Sequence, residues 1–342
     1  MRQGTGDGGR APAMADVARV AGVSAQTVSR ALGGHPNVQE TTRAKVLAAV
    51  EQLGYRKNTA AGMLSSGRSR TLGVVTLQTG FFSRTALTVG VERAARAAGY
   101  AVSTAATASL DPAAVEDALL RLADQRVEGV VLAVPLIRVS RRIEQLTAAV
   151  PTVAVDGSRT PDTEVVAVDQ SAAARLATTH LLELGHRTVW HVAGPGEWLD
   201  AASRAQGWRD VLEAAGADVP PALAGDWSPA SGHRAGLILG RIPEVTAVFV
   251  ASDEMAFGVI RALHDLGRRV PEDVSVVGVD DIALAAYCSP PLTTVAQPFA
   301  EMGALAVAHL LRQVARPAAP PAPVSVEPTL VVRSSTAAVR AS

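Results

Sequence analysis

Residues 15–55 read ADVARVAGVSAQTVSRALGGHPNVQETTRAKVLAAVEQLGY, and this stretch decides the fold of the amino-terminal region. Its apolar residues recur at helical spacing in short runs. Gly22 supplies a tight turn, because glycine adopts a left-handed backbone without strain. Ser24 is a good amino-terminal cap, and Gly54 is a typical helix terminator. These signals predict three helices, over residues 14–21, 25–32 and about 40–53.

The spacing of Ala18, Gly22 and Val28 is that of a helix-turn-helix, whose second helix enters the major groove of DNA. Glutamine pairs with an adenine edge and arginine with a guanine edge, so the polar face opposite Val28 is suited to reading bases. Hydroxyl side chains there and at the start of the third helix suit phosphate contacts, together with Thr41 and Arg43. A solvated three-helix bundle is the alternative. The predicted DNA contacts in this unit are Ala25, Gln26, Thr27, Ser29, Arg30 and Thr42.

The quoted stretch resembles the DNA-binding headpiece of the lactose/galactose repressor (LacI/GalR) family. Residues 58–64, NTAAGML, resemble the hinge helix of that family, which inserts a leucine into the minor groove. The resemblance assigns Leu64 as the wedge, Ala61 as the position of close approach beside it, and Asn58 as a further contact. An inserted apolar side chain unstacks and bends the duplex. An ordinary linker is the alternative, and Lys57 departs from the proline that the family often has there.

Composition and charge agree with a DNA-binding head on a globular body. Residues 1–70 carry ten Lys and Arg against four Asp and Glu, whereas the remainder carries 22 against 28. The head is therefore net positive and the body net negative, so only the head is suited to binding a polyanion. No apolar run reaches the roughly 20 residues of a membrane span. The first residues contain no secretory signal, and residues 1–12 are expected to form a disordered tail. A single cysteine, Cys288, excludes an internal disulfide. We expect a cytoplasmic protein.

From Thr71 onward, nearly continuous apolar runs such as TLGVVTL and SVVGVD alternate with amphipathic helices. This alternation predicts an α/β fold of parallel sheets covered on both faces, and the number of strands indicates two lobes. The body also resembles the family, which implies a periplasmic-binding-protein-like core with three crossovers. The predicted divisions are a helix-turn-helix domain over 13–57, a hinge helix and linker over 58–70, and a core over 71–335, with lobe 1 as 71–168 and 297–322 and lobe 2 as 169–291 and 323–335.

Ligands of such sheets bind at the carboxyl ends of the strands, where polar residues follow several apolar runs. Carboxylates and guanidinium groups suit sugar hydroxyls, and an indole suits the apolar face of a sugar ring. The resemblance assigns ligand contacts on this basis. The predicted ligand residues are Asp156, Arg204, Trp227, Ser252, Asp280, Gln297 and Phe299.

Each assignment has an alternative. An aspartate at a strand end is often a helix cap, and Asp253 is expected to cap the helix that it begins. Arg204 is expected to open a helix over 203–215, where a surface ion pair is the alternative role. Trp227 is also suited to filling core. Ser252 stands where lactose-responsive members have an asparagine, which leaves open whether the sugar is a galactoside or another disaccharide.

The sequence motifs of phosphate-binding loops, zinc proteases and serine hydrolases are absent. We therefore expect that the protein is not an enzyme and binds neither a cofactor nor a metal. The final residues, STAAVRAS, contain no counterpart of the leucine-rich helix that joins some members into tetramers, so we expect a homodimer. The resemblance implies a repressor that leaves a pseudopalindromic operator when a sugar binds. A nucleobase or phosphosugar effector, action through a corepressor and, last, a solute-binding protein are the alternatives.

Overall fold

The computed structural model describes residues 12–33, 35–55, 68–135, 139–156, 163–316 and 324–339. The chain divides into two compact units between Ser69 and Arg70. Most of the predicted tail, and the predicted hinge contacts Asn58, Ala61 and Leu64, lie outside the described residues.

The first unit is a bundle of three helices, and its helix bounds confirm those predicted. Gly22 has a left-handed φ of +65°, and the Ser24 side chain accepts a hydrogen bond from Thr27 N at 3.1 Å, which caps the second helix. Val17 and Val28 are fully buried in a common core. The helices are α1 (Met14–Ala21), α2 (Ala25–Leu32) and α3 (Glu40–Leu53).

Lobe 1 of the second unit contains a six-stranded parallel sheet with helices on both faces. Its strands are rich in valine and alanine, and β3 and β4 are buried throughout. In chain order the elements are β1 (Thr71–Leu77), α4 (Phe82–Ala97), β2 (Ala101–Thr107), α5 (Pro112–Asp124), β3 (Gly129–Ala133), α6 (Arg141–Ala149), β4 (Thr152–Val155), β5 (Glu164–Val168), α11 (Phe299–Ala315) and β11 (Val324–Val326). The strand order is β11-β5-β4-β3-β1-β2.

Lobe 2 has a second six-stranded sheet, in which only β12 runs antiparallel. Its elements are β6 (Trp190–Ala193), β7 (Leu223–Ala224), β8 (Ala247–Val250), β9 (Ser275–Asp280), β10 (Thr293–Ala296), β12 (Thr329–Val331), α7 (Gln170–Glu183), α8 (Leu199–Ala214), α9 (Pro229–Leu239), α10 (Asp253–Asp265) and the 3-10 helix Ala283–Ala286. The strand order is β12-β10-β9-β8-β6-β7. The predicted fold class, a helical headpiece followed by two lobes of parallel sheet, is confirmed.

Within the described residues three segments connect the lobes, and the second and third lie later than the sequence predicts. The predicted lobe 2 segment 169–291 ends too early, because β10 (Thr293–Ala296) pairs with β9 in the sheet of lobe 2. The first crossing follows β5 at Asp169, and the second follows β10 at residues 297–298. The assignment of residues 323–335 to lobe 2 is wrong at its start, because residues 324–326 pair with β5 and Val326 is buried in the core of lobe 1. The third crossing is therefore at residues 327–328.

One helix start and one helix cap also differ from those predicted. Helix α8 begins at Leu199 and not at residue 203, so Arg204 lies in its second turn and does not open the helix. The cap of α10 is Ser252, whose side chain accepts from Met255 N at 3.2 Å. Asp253 instead accepts from Ile282 N at 2.9 Å and from Thr294 Oγ1 at 2.5 Å. Among the described residues, no helix combines the length and apolarity that a membrane span requires.

Candidate functional site

The first candidate site is the outer face of α2. Ala25, Gln26, Ser29 and Arg30 are exposed, whereas Val28 is buried on the opposite side. Four of the predicted DNA contacts therefore lie on one accessible helix face. Because such a helix fits the major groove, this face is suited to base contacts.

Other predicted contacts of the headpiece face local partners. Thr27 is half-buried, and its Oγ1 is 2.9 Å from Ser24 Oγ within the cap of α2. Thr42 is also half-buried. Arg43 donates from Nη1 to Ala31 O at 2.9 Å and from Nη2 to His35 O at 3.0 Å. The guanidinium of Arg43 therefore holds the end of α2, a role that residue spacing does not reveal.

We expect Arg30→Ala to weaken operator binding by about 1–3 kcal/mol, because an arginine that pairs with a guanine edge contributes on this scale. Affinity for random DNA should change little. Fluorescence anisotropy with both DNAs at a fixed salt concentration measures the two losses. Arg19→Ala, which alters an exposed arginine of α1, is the control. Equal losses on both DNAs would make Arg30 a phosphate contact.

The second candidate site is a cleft between the two lobes, with about 400 Å³ of empty space. Its lining residues come from the carboxyl ends of strands in both sheets and from the segments that follow them, as expected for parallel sheets. The structure brings all seven predicted ligand residues together around this cleft: Asp156, Arg204, Trp227, Ser252, Asp280, Gln297 and Phe299.

Six further lining residues were not predicted: Phe81, Ser83, Arg84, Trp198, Asp200 and Glu254. Three of them follow β1, and two lie between β6 and the second turn of α8. The rule that ligands bind at strand ends, applied to the run TLGVVTL, would have pointed to the first three. The stretch GPGEWLDAASR contains both the tryptophan and the aspartate that follow β6.

A chain of side-chain hydrogen bonds links residues of lobe 2 and of the second crossing beside the cleft. Arg204 Nε donates to Gln170 Oε1 at 2.8 Å, and Gln170 Nε2 donates to Gln297 Oε1 at 2.9 Å. Gln297 Nε2 then donates to Asp280 Oδ1 at 2.5 Å. Arg204 also donates from Nη1 to Ala251 O and is only 3% exposed. Arg204 is therefore not part of a surface ion pair.

Two tryptophans form an aromatic corner in lobe 2. The rings of Trp198 and Trp227 meet edge to face with centroids 5.5 Å apart, and the Arg204 guanidinium lies 5.6 Å from the centre of the Trp227 ring. A side chain at Gly194 would place its Cβ 2.2 Å from that ring, so only glycine leaves room for it. Trp227 Nε1 is buried without a hydrogen-bond partner among the described residues. The corner thus offers a ring face and a free donor.

Two acidic residues of the cleft are buried in unusual backbone conformations. Asp156 has a φ of +48° and Asp280 a φ of +116°, and Trp227 has a φ of +69°. Strained residues of this kind cluster at binding sites. Burial raises the pKa of Asp156 to about 7, with the neighbouring charge of Asp200 adding to the shift. Burial likewise raises the pKa of Asp280 to about 7. A ligand hydroxyl that donates to either carboxylate would favour its charged form.

We expect buried Asp156 and Asp280 to contribute stability that is lost as the pH rises from about 4 to about 7, against an opposite contribution from His191, whose pKa burial lowers to about 4. In this window an unfolded aspartate has lost its proton, whereas buried Asp156 and Asp280 keep theirs, so the unfolded state gains relative to the folded state. Urea unfolding at several pH values measures the slope. The pH-dependent loss of the free energy of unfolding should be smaller in Asp156→Asn than in the wild type. Equal pH dependence in the two proteins would contradict the raised pKa of Asp156.

Comparison with known proteins identifies the family. Residues 13–58 match the bacterial regulatory proteins of the lacI family, and residues 178–336 match the periplasmic binding protein-like domain. The ribose operon repressor of Escherichia coli (strain K12) is 34% identical, with 94% of this chain and 99% of the repressor covered.

Two solved structures are similar over nearly the whole chain. A Lac repressor dimer bound to operator and the anti-inducer ONPF has a TM-score of 0.85 and 32% identity, covering 96% of this chain and all of that chain. The CelR–cellobiose complex has a TM-score of 0.71 and 33% identity, covering 95% and 99%. These relatives are regulators rather than enzymes. The chain belongs to the lacI family of bacterial transcriptional regulators.

Proposed function

We propose that the chain is a repressor of sugar-utilisation genes that leaves its operator when a neutral sugar binds between the two lobes. The observation that carries this proposal is the composition of the cleft. Aromatic rings lie beside buried carboxylates and a guanidinium at the strand ends of a core that follows a helix-turn-helix unit. Indoles suit the apolar faces of sugar rings, and the charged groups suit vicinal hydroxyls.

The relatives support a sugar effector. One of them represses a ribose operon, and another was solved with cellobiose. Within the cleft, Trp227 would stack on a sugar ring, while Asp156, Arg204 and Asp280 would bond its hydroxyls. Gln297 and Phe299 would line the side nearest the crossings. Ser252 would shape the wall of the cleft rather than hydrogen-bond to the sugar, because its hydroxyl already caps α10.

The charge of the cleft favours a neutral sugar over a phosphosugar. Four acidic side chains line it, those of Asp156, Asp200, Glu254 and Asp280. The two lining arginines already have partners, because Arg84 pairs with Asp200 and Arg204 with Gln170. A phosphate would add negative charge beside four acidic groups where both lining arginines are already engaged, and like charges in a buried site repel strongly. A nucleobase effector remains the second candidate, because the aromatic corner also suits a flat ring.

We propose a cytoplasmic homodimer that reads a pseudopalindromic operator, since two-fold symmetry of the protein requires it in the DNA. The Lac repressor relative is a dimer on its operator. In lobe 2, Tyr287 is 85% exposed and Leu284 64% exposed, which offers apolar surface for a second copy. Sugar binding would change the geometry of the hinge region, where Asn58, Ala61 and Leu64 would contact DNA.

The test is release of operator DNA by small molecules. Purified protein on DNA flanking its own gene is titrated with ribose, cellobiose, lactose, a phosphosugar and hypoxanthine, while thermal stability is followed in parallel. We expect a neutral sugar to raise the melting temperature and to weaken operator binding, by a factor typically of 5–150. The DNA should weaken sugar binding by the same factor. Tighter operator binding in the presence of the sugar would instead make it a corepressor.

A further inference from the structure

An ion pair joins the two lobes across the cleft. Arg84 Nη2 of α4 lies 3.0 Å from Asp200 Oδ2 of α8. Both residues are buried, with 5% and 6% of their surface exposed. Neither was predicted as a ligand residue, and both line the same cleft as the seven that were. A buried pair of this kind holds its members in a defined geometry, because leaving either charge unpaired is costly.

An aromatic ring of lobe 2 also contacts the Arg84 guanidinium. Its central carbon lies 5.6 Å from the centre of the Trp198 ring, a distance at which cation–π attraction operates. Trp198 in turn meets Trp227 edge to face. Arg84 therefore reaches from lobe 1 to the aromatic corner of lobe 2.

One donor of this fixed guanidinium is unused. Arg84 Nε is buried and has no hydrogen-bond partner among the described residues. An orphaned donor costs free energy unless a ligand or water completes it. Trp227 Nε1, in the same cleft, is also without a partner. Two residues that line one cavity, one from each lobe, thus each carry an unsatisfied buried donor beside the aromatic corner.

We propose that Arg84 recognises the effector from lobe 1, alongside Asp156, with Nε donating to a ring hydroxyl of a sugar held at the Trp198–Trp227 corner. Asp200 is a positioning residue that fixes the guanidinium. This proposal rests on the proposed function. Arg84 would then bond lobe 2 through Asp200 and the sugar through Nε at the same time. A sugar with an oxygen within reach of Nε would therefore stabilise the arrangement of the lobes in which this ion pair forms.

The test separates ligand contact from a purely structural latch. Ribose, cellobiose and lactose are titrated against the full-length wild type, Arg84→Gln, Arg84→Lys and Asp200→Asn, with tryptophan fluorescence as the readout and thermal melting as the check on folding. Arg96→Gln is the control, because Arg96 is an exposed arginine of the same helix, paired with Glu92. Deoxy forms of whichever sugar binds are then compared on the wild type and Arg84→Gln.

We expect Arg84→Gln to weaken binding about 10- to 100-fold, the scale of one hydrogen bond from a charged donor. Arg84→Lys should remain weak, since an ammonium group can restore the ion pair but not the Nε contact. One deoxy sugar should bind the wild type more weakly than the parent sugar does. That deoxy sugar and the parent sugar should bind Arg84→Gln with equal affinity. Recovery of affinity in Arg84→Lys, or equal losses for that deoxy sugar in both proteins, would reduce Arg84 to a latch and overturn the proposal.

Two further outcomes are distinct. If a sugar binds the wild type and binds Arg84→Gln equally well, the role of Arg84 is overturned while the proposed function stands. If none of the three sugars binds the wild type, the proposed function is overturned for these sugars, and the role of Arg84 as their contact is overturned with it.

Discussion

Arg204→Ala is expected to produce a repressor that binds its operator but no longer responds to sugar. Arg204 Nε begins the hydrogen-bond chain through Gln170, and its guanidinium lies against the Trp227 ring. The substitution removes a charged donor from the cleft and frees Gln170. We expect about a 100-fold or greater loss of sugar affinity, because hydrogen bonds from charged groups contribute about 1.5–3 kcal/mol each. Calorimetry and operator release measure the loss.

The matched control for this variant is Arg209→Ala, because Arg209 is exposed on the same helix. It should bind sugar and operator normally. Arg204→Ala should also unfold at a somewhat lower temperature, since the carbonyl of Ala251 and the amide of Gln170 lose a buried donor. Normal release of the operator by sugar would show that Arg204 makes no essential contact.

Gly194→Ala is expected to disable the cleft although it adds a single methyl group. The new Cβ would lie 2.2 Å from the Trp227 ring, far inside van der Waals contact. Trp227 is buried beside Trp198, so its rigid ring must leave the corner or push the strand aside. Overpacking of this kind costs about 1–3 kcal/mol. We expect at least a tenfold loss of sugar affinity together with a lower melting temperature.

Gly196→Ala is the control two residues away, since nothing lies within 4 Å of the Cβ that it would add. It should match the wild type in melting temperature and in sugar affinity. The crystal structure of Gly194→Ala would show a displaced indole. An indole in its original place, with unchanged affinity, would mean that the strand yields easily and that the corner does not depend on this glycine.

The helix bounds of the headpiece could be predicted because they depend on caps, turns and apolar spacing within a few residues of each other. Ser24 caps α2 through a bond to a backbone amide three residues away, and Gly22 and Gly54 end helices in a left-handed conformation. Apolar spacing then fixes the buried faces. What the sequence did not reveal was that Arg43 donates to the carbonyls of Ala31 and His35, because the partner of a long side chain depends on packing.

The cleft was predictable in part. Residues that follow apolar strands were expected at one edge of each sheet, and the resemblance selected seven of them. Arg84 was missed because nothing in the periodicity of α4 indicates that its first turn faces the opposite lobe. The third crossing was placed too early because strand β11 is only three residues long, and its sheet is decided by pairing with distant β5.

The chain of bonds from Arg204 to Asp280 has a fixed direction. A guanidinium can only donate hydrogen bonds, so Gln170 accepts at Oε1 and donates from Nε2, and Gln297 does the same toward Asp280. Gln170 and Gln297 stand where the first two connectors pass from one sheet to the other. A molecule that engages Arg204 or Asp280 therefore contacts one end of a hydrogen-bond chain that passes both connectors between the lobes.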